Sequence, residues 1–346
     1  MSPRIRAALA VIAAAGITSA TYQRIADARD RRRFPPPGHL AGIGGRRIHL
    51  LAAGHGTPAV VIIPALGDSA LGWLRVQRAL AGIARTVTYE AAGRGWSDPP
   101  RGRVTPDAMA GDLHAALTAA GIPPPYVIAG HSLGGIVARR FQARYPGDVA
   151  GILLADSSHE GQARRLPWRA GAGSNLKRAV MRQARVLGVR RLAASFGLVA
   201  AVSPASLARE TVPEYMGAER AITLSTRQRR TAVRELLMAA RLRGCPQDLG
   251  SLLVTVLSSA NRRWSGWPAW SQLQDELAAL STETVQMNAV NAGHYVHLDQ
   301  PGLVVQEISS LVSRCRAAGP GGLQSHHAVP ISTVFQSRRM PRSGSR

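Results

Sequence analysis

Tyr126-Val-Ile-Ala-Gly-His-Ser-Leu-Gly-Gly-Ile-Val-Ala-Arg-Arg-Phe141 is the stretch that decides how this chain folds. Its apolar start, Tyr126 to Ala129, reads as a strand, Gly130-His-Ser-Leu-Gly134 as a G-x-S-x-G turn, and Gly135 to Phe141 as the start of a helix. Strand, turn and helix in that order make a nucleophile elbow of what would otherwise be a common pentapeptide. The glycines have a steric task, because so tight a turn leaves little room for a Cβ beside the serine. Ser132 is therefore expected to stand exposed at the top of a sheet, with the N–H of Leu133 aimed where an oxyanion would develop.

Working outward, short apolar runs alternate with amphipathic segments, the pattern of a mostly parallel sheet wrapped by helices. His39 to Ile43 and Arg46 to Leu51 flank Gly44-Gly45 as a hairpin. Ala59 to Ile63 and Thr86 to Tyr89 read as strands, with a helix from Ser69 to Ile83 between them. Thr105-Pro-Asp107 opens a helix to about Ala120, threonine as its cap and proline in its first turn. Val149 to Ala155 is the next strand, and Leu252 to Leu257 and Thr284 to Ala289 resume the pattern around a helix at Ser271 to Leu280. Pro301 to Val312 closes the domain as a helix. The arginine-rich stretch from Glu160 to Arg243 holds no run long enough to extend the sheet, and reads as a helical cap over the strands' carboxyl ends, where ligands bind in such sheets. The chain thus divides into an N-terminal segment (1–34), a core (37–159 and 246–316), a cap (160–245) and a disordered basic tail (317–346).

The net charge of +23 invites a nucleic-acid reading, but Lys177 is the single lysine and the arginines are scattered without a recognition motif. Specific nucleic-acid binding is therefore not expected, whereas association with an anionic membrane surface is. Arg4 and Arg6 precede the apolar run Ala7 to Ala20, which reads as an uncleaved transmembrane anchor in preference to a cleaved signal for export, with an Ala-rich helix packed on the domain as a third option. Tyr22 to Arg33 continues as a basic juxtamembrane helix, and Pro35-Pro-Pro-Gly38 ends it. Cys245 and Cys315 stand in no metal-ligand spacing and read as isolated thiols; His326 and His327 belong to the tail. No metal or cofactor is implied.

A serine hydroxyl needs an imidazole base, and the base a carboxylate that fixes its tautomer. His294, in Asn291-Ala-Gly-His-Tyr-Val-His-Leu-Asp-Gln-Pro301, lies in a loop between the last strand and the final helix and is the expected base; His297 reads as a packing residue. The segment after the strand at 252–257 carries no carboxylate, whereas Asp156 ends the strand after the elbow helix and faces the rim that holds Ser132. Asp156 is the expected acid, ahead of Asp275 or Glu276. Trp73, Trp264, Trp267 and Trp270 are candidates for lining an apolar acyl pocket.

With these motifs in place, Gly130-His-Ser-Leu-Gly-Gly135, Gly93-Arg-Gly-Trp-Ser-Asp98, Asp156-Ser-Ser-His159 and Gly293 to Pro301, the chain resembles the α/β-hydrolase superfamily, in its esterase, lipase and epoxide-hydrolase-like branch with a helical cap. The resemblance spans about Pro37 to Arg316 and implies an α/β-hydrolase fold, a cofactor-free serine hydrolase and a small-molecule ester or related acyl substrate. Some members carry their acid where Asp156 stands, and a serine at 132 argues against the aspartate-nucleophile activities of epoxide hydrolases and haloalkane dehalogenases. One departure is Pro64-Ala-Leu-Gly67, where relatives usually read His-Gly-x; by resemblance Leu66 supplies the second oxyanion N–H. Glu90, where aspartate is commoner, reads as structural support. The same residues would serve an acyltransferase or a cofactor-free perhydrolase, and a membrane-tethered binding protein could keep the fold without the chemistry.

Overall fold

The aliphatic runs Ala59–Ile63 (β3) and Tyr126–His131 (β5) are buried along their whole length, as strands covered on both faces must be. They occupy the centre of an eight-stranded sheet in the order β1-β2-β4-β3-β5-β6-β7-β8. The other strands are His39–Ile43 (β1), Arg46–Ala53 (β2), Thr86–Tyr89 (β4), Val149–Ala155 (β6), Leu253–Ser259 (β7) and Thr284–Ala289 (β8). β2 pairs antiparallel with β1 and β4, and all other pairings are parallel. The computed structural model describes residues 2–166, 212–243, 248–260 and 266–319. Lys177, Cys245, Trp264, His326 and His327, much of the expected cap and nearly all of the expected tail lie outside these residues.

Helices cover both faces. Pro106–Ala119 (α3) and Leu133–Arg144 (α4) bury Leu113, Leu117, Val137 and Phe141 on one side. Leu74–Leu80 (α2) and Pro301–Ala318 (the final helix) bury Val76, Leu80, Val304 and Ile308 on the other. The helix expected from Ser69 to Ile83 is shorter, because the Ser69 hydroxyl accepts from the Leu71 N–H and starts a tighter 3-10 turn over Ala70–Trp73 before α2.

The N-terminal segment forms one helix, Pro3–Arg33 (α1), and the transmembrane expectation is corrected: among the described residues no helix is long and apolar enough to cross a membrane. The apolar run is shorter than the roughly 20 residues a span needs, and much of it is alanine, which transfers only weakly to lipid. Further along the same helix, Gln23 and Asp27 are buried. Gln23 Nε2 donates to the Leu224 carbonyl at 3.0 Å, and Asp27 Oδ2 accepts from the Thr226 N–H at 3.2 Å. These contacts dock α1 on the junction between Met216–Leu224 (α5) and Thr226–Ala239 (α6). Both helices belong to the segment expected to be a cap, and α6 meets the loops at the carboxyl ends of β3 and β4 through Gly67, Gly93 and Gly95.

The loop after β6 is fixed from beneath by a buried ion pair. Arg139 of α4 donates from Nη1 to both Glu160 oxygens at 3.0 and 2.9 Å and from Nη2 to the Ser158 carbonyl at 3.0 Å. Removing one partner of such a pair leaves a buried charge uncompensated. Arg139→Met is therefore expected to cost on the order of 3 kcal/mol, read as a drop in the urea unfolding midpoint; an unchanged midpoint would show that Glu160 is solvated after all.

Candidate active site

The elbow between β5 and α4 is built on close backbone contact. A Cβ at Gly134 would lie 2.1 Å from the Ile63 carbonyl oxygen, and one at Gly130 would lie 2.5 Å from the Gly134 carbonyl oxygen. Ser132 itself sits at φ 51°, ψ −119°, an unfavourable region for a side-chain-bearing residue that the surrounding packing enforces. Asp156, at the end of β6, is likewise at φ 39°.

Three side chains that the sequence singled out meet here. His294 Nε2 lies 3.0 Å from Ser132 Oγ, and His294 Nδ1 lies 2.6 Å from Asp156 Oδ2. The second carboxylate oxygen, Oδ1, accepts from the Ser259 N–H and from the Trp270 indole Nε1–H, each at 2.9 Å. Asp156 is thus held from β7 and from the helix Trp267–Ala278 (α7), leaving Oδ2 for the imidazole. Asp275 and Glu276 point elsewhere: Asp275 accepts from Gln286 and Glu276 pairs with Arg165 at the surface.

A cavity of about 310 Å³ opens over these groups, lined by Ser132, Ser158, Gln162, Leu166, Trp267 and Trp270 among others. Trp73 does not line it: it is fully buried and stacked on His297 at 4.1 Å, packed as a core residue. The contribution of Trp270 to the acid was invisible in the sequence, because an indole N–H from a helix more than a hundred residues away leaves no spacing signature.

Facing the elbow is the loop Pro64 to Gly67. Arg94, 1% exposed, donates from Nη1 to the Pro64 and Ala65 carbonyls at 3.3 and 2.7 Å. Among the described residues neither the Leu66 N–H nor the Leu133 N–H has a protein acceptor; Leu133 is the first residue of α4, where such donors are left over by the helix. Glu90 supports the neighbouring turn, accepting from His49 Nδ1 at 2.9 Å and from the N–H groups of Ala70 and Trp96. Burial alone would raise its pKa; His49 and these donors more than offset that and hold it below the usual range.

Behind the serine, Asp68, His131 and His297 are buried side by side. His131 Nε2 donates to the His294 carbonyl at 2.8 Å, which leaves Nδ1 as the acceptor, 3.9 Å from Asp68 Oδ2. A tetrahedral zinc bound at its usual distances would need donors about 3.4 Å apart, so these three fit such an ion poorly. Burial raises Asp68 to about 6, and burial followed by the nearby His294 lowers His297 to about 3.

The chain matches the model of the alpha/beta hydrolase family over residues 60–307. It is 28% identical over 328 residues to a protein of Hormonema carpetanum named "Probable transporter efuK", covering 86% of this chain and 47% of that one, so it spans about half that relative's length. Among solved structures it is similar to an esterase from Thermogutta terrifontis (22% identity, TM-score 0.57, 80% of this chain and 97% of that one). It is also similar to a Bacillus megaterium epoxide hydrolase (15% identity, TM-score 0.60, 80% and 100%). At these identities the two structures establish a common fold.

The crowding at Gly134 predicts that Gly134→Ala lowers stability by about 1–3 kcal/mol through overpacking, measurable by urea denaturation. The buried imidazole predicts an acid-sensitive step. His297 takes up a proton near 6.5 when unfolded but only near 3 when folded, so its contribution is intact above about pH 6.5 and is lost as pH falls toward 3. Asp68, raised to about 6, works in the opposite sense, so the informative quantity is the difference from a variant. Between pH 7 and pH 5 the parent should lose on the order of 2 kcal/mol relative to His297→Phe; parallel pH profiles would contradict a buried neutral His297.

Proposed function

The chain belongs to the alpha/beta hydrolase family, and from that premise we propose that this alpha/beta hydrolase is a serine enzyme that cleaves carboxylic esters or related acyl bonds through an acyl-enzyme. The observation that carries the proposal is the unbroken line of hydrogen-bonding distances Ser132 Oγ, His294 Nε2, His294 Nδ1, Asp156 Oδ2. Ser132 Oγ attacks the acyl carbon while His294 Nε2 takes the hydroxyl proton. Asp156 keeps Nδ1 protonated and stabilises the imidazolium. The N–H groups of Leu133 and Leu66 receive the oxyanion. His294 then returns the proton to the departing alkoxide, the C–O bond breaks, and an acyl-Ser132 remains. Water, deprotonated by His294, attacks that ester; the proton goes back to Ser132 and the acid product leaves. The groups in the cavity suit an apolar acyl chain against Trp267, Trp270 and Leu166, with Ser158 and Gln162 available to polar atoms.

A fluorophosphonate probe should form one covalent adduct, located at Ser132 by peptide mass spectrometry; absence of an adduct on folded protein would end the serine-enzyme reading. Asp156→Asn should reduce ester turnover by roughly 10⁴-fold, since the imidazole is then held in the wrong tautomer. Asp275→Asn should leave turnover within about twofold, as expected of an exposed residue away from the reacting groups.

A further inference from the structure

Helix α6 turns an unusual face inward. Gln228, Thr231 and Glu235 are 5%, 3% and 0% exposed, whereas Leu237 is 38% exposed. With Ala232 between them, these residues follow the i, i+3, i+4, i+7 spacing of one helical stripe. What the stripe touches explains its polarity. Glu235 Oε1 accepts from Arg94 Nε at 2.7 Å, and Oε2 from the Gly67 N–H at 3.0 Å. Gln228 Nε2 donates to the Gly67 carbonyl at 2.6 Å, while its Oε1 accepts from the Gly95 N–H at 2.9 Å. A Cβ at Gly67 would lie 3.2 Å from Ala232 Cβ, and one at Gly93 would lie 2.2 Å from Thr231 Oγ1. One helix face therefore grips both glycine loops, and through Arg94 it reaches the carbonyls of Pro64 and Ala65.

We propose that Glu235 is a positioning residue for the oxyanion hole: together with Arg94 and Gln228 it fixes the loop Pro64–Gly67, and with it the Leu66 N–H, from α6. The inference rests on the serine-enzyme reading above and adds to it a dependence of the reacting centre on a helix that carries none of its reacting groups. A loop that begins with proline, which has no N–H of its own to donate, gains from such external fixing. Its carbonyls are satisfied by Arg94, the Arg94 charge by Glu235, and the Gly67 N–H by the same carboxylate. The peptide of Leu66 is thereby pinned on both sides, with its N–H left without a protein acceptor among the described residues.

The test compares an oxygen ester with the matching thionoester. Sulfur is a weak hydrogen-bond acceptor, so the thiono anion gains less from oxyanion N–H groups than the oxygen anion does. In the wild type, fluorophosphonate labelling of Ser132 and a strong preference for the oxygen ester establish the starting point; no labelling and no turnover there would overturn the serine-enzyme reading itself. Glu235→Gln, close in size but uncharged, is expected to lower kcat for the oxygen ester about tenfold or more with KM changed less than about threefold. Turnover of the thionoester should fall far less, so the preference narrows by at least about fivefold. Gln228→Met leaves the ion pair intact and should narrow the preference in the same direction, and it carries the test if Glu235→Gln does not fold. An equal loss for both esters, or no loss, in a folded variant would overturn the positioning role while leaving the serine-enzyme reading in place.

Discussion

Backbone pressed on backbone at Gly134 and the Ile63 carbonyl is the contact on which the rest of the molecule depends. It sets β3 against the first turn of α4, and so sets the loop after β3 against the residue that begins that turn. A single methyl group in the contact would push the two apart. The same economy recurs at Gly135, whose Cβ would lie 1.9 Å from Ser157 Oγ, so the loop after β6 is also drawn against α4. The positive φ of Ser132 is sustained by this packing and by backbone bonds on both sides of the residue: its N–H donates to the Ala155 carbonyl at 3.2 Å, and its carbonyl accepts from the Ser158 N–H at 2.9 Å. Strain of this kind persists only where the surroundings over-determine it.

Around that centre the molecule buries charge. Arg139 with Glu160, Arg94 with Glu235, and His49 with Glu90 each lie almost wholly out of solvent. Such pairs contribute little net stability, because desolvation offsets most of their attraction. What they add is geometry: an apolar pair could slide, whereas Glu235, gripping the Arg94 guanidinium and the Gly67 N–H together, has one arrangement. All three pairs hold loops at the carboxyl ends of strands, where the sheet stops supplying hydrogen bonds and something else must position the chain. Some of the arginine that makes the sequence so basic is therefore internal scaffolding, invisible in the net charge.

The sequence was legible where one element carries its own signal. The elbow, the hairpin at Gly44-Gly45, and the placing of His294 between the last strand and the final helix all follow from local patterns and emerge as expected in the fold. The place of Asp156 at the rim beside His294 was reachable by a rule about strand ends. The helix face with Gln228, Thr231 and Glu235 was not, because hydrophobic periodicity assumes that a helix buries its apolar side. Here the surface being covered is glycine loops with exposed peptide groups, and polar side chains are what satisfy them. The N-terminal helix escaped for a related reason. The residues that dock it, Gln23 and Asp27, interrupt a basic run and carry no spacing signal of their own.

The position of Asp156 has a consequence for the cavity. At the end of β6, Asp156 finds donors for Oδ1 in the Ser259 N–H and the Trp270 indole. Trp270 is at the same time a wall of the cavity over Ser132. Any change of this side chain that reshaped the cavity would also remove a donor from Asp156 Oδ1 and loosen the carboxylate that faces His294. Cavity shape and carboxylate alignment are therefore coupled through one residue. A cavity built this way has less freedom to vary at Trp270 than at Trp267 or Leu166, which line it with no hydrogen bond to Asp156 among the described residues, so variation in what the cavity admits should be concentrated at those two positions.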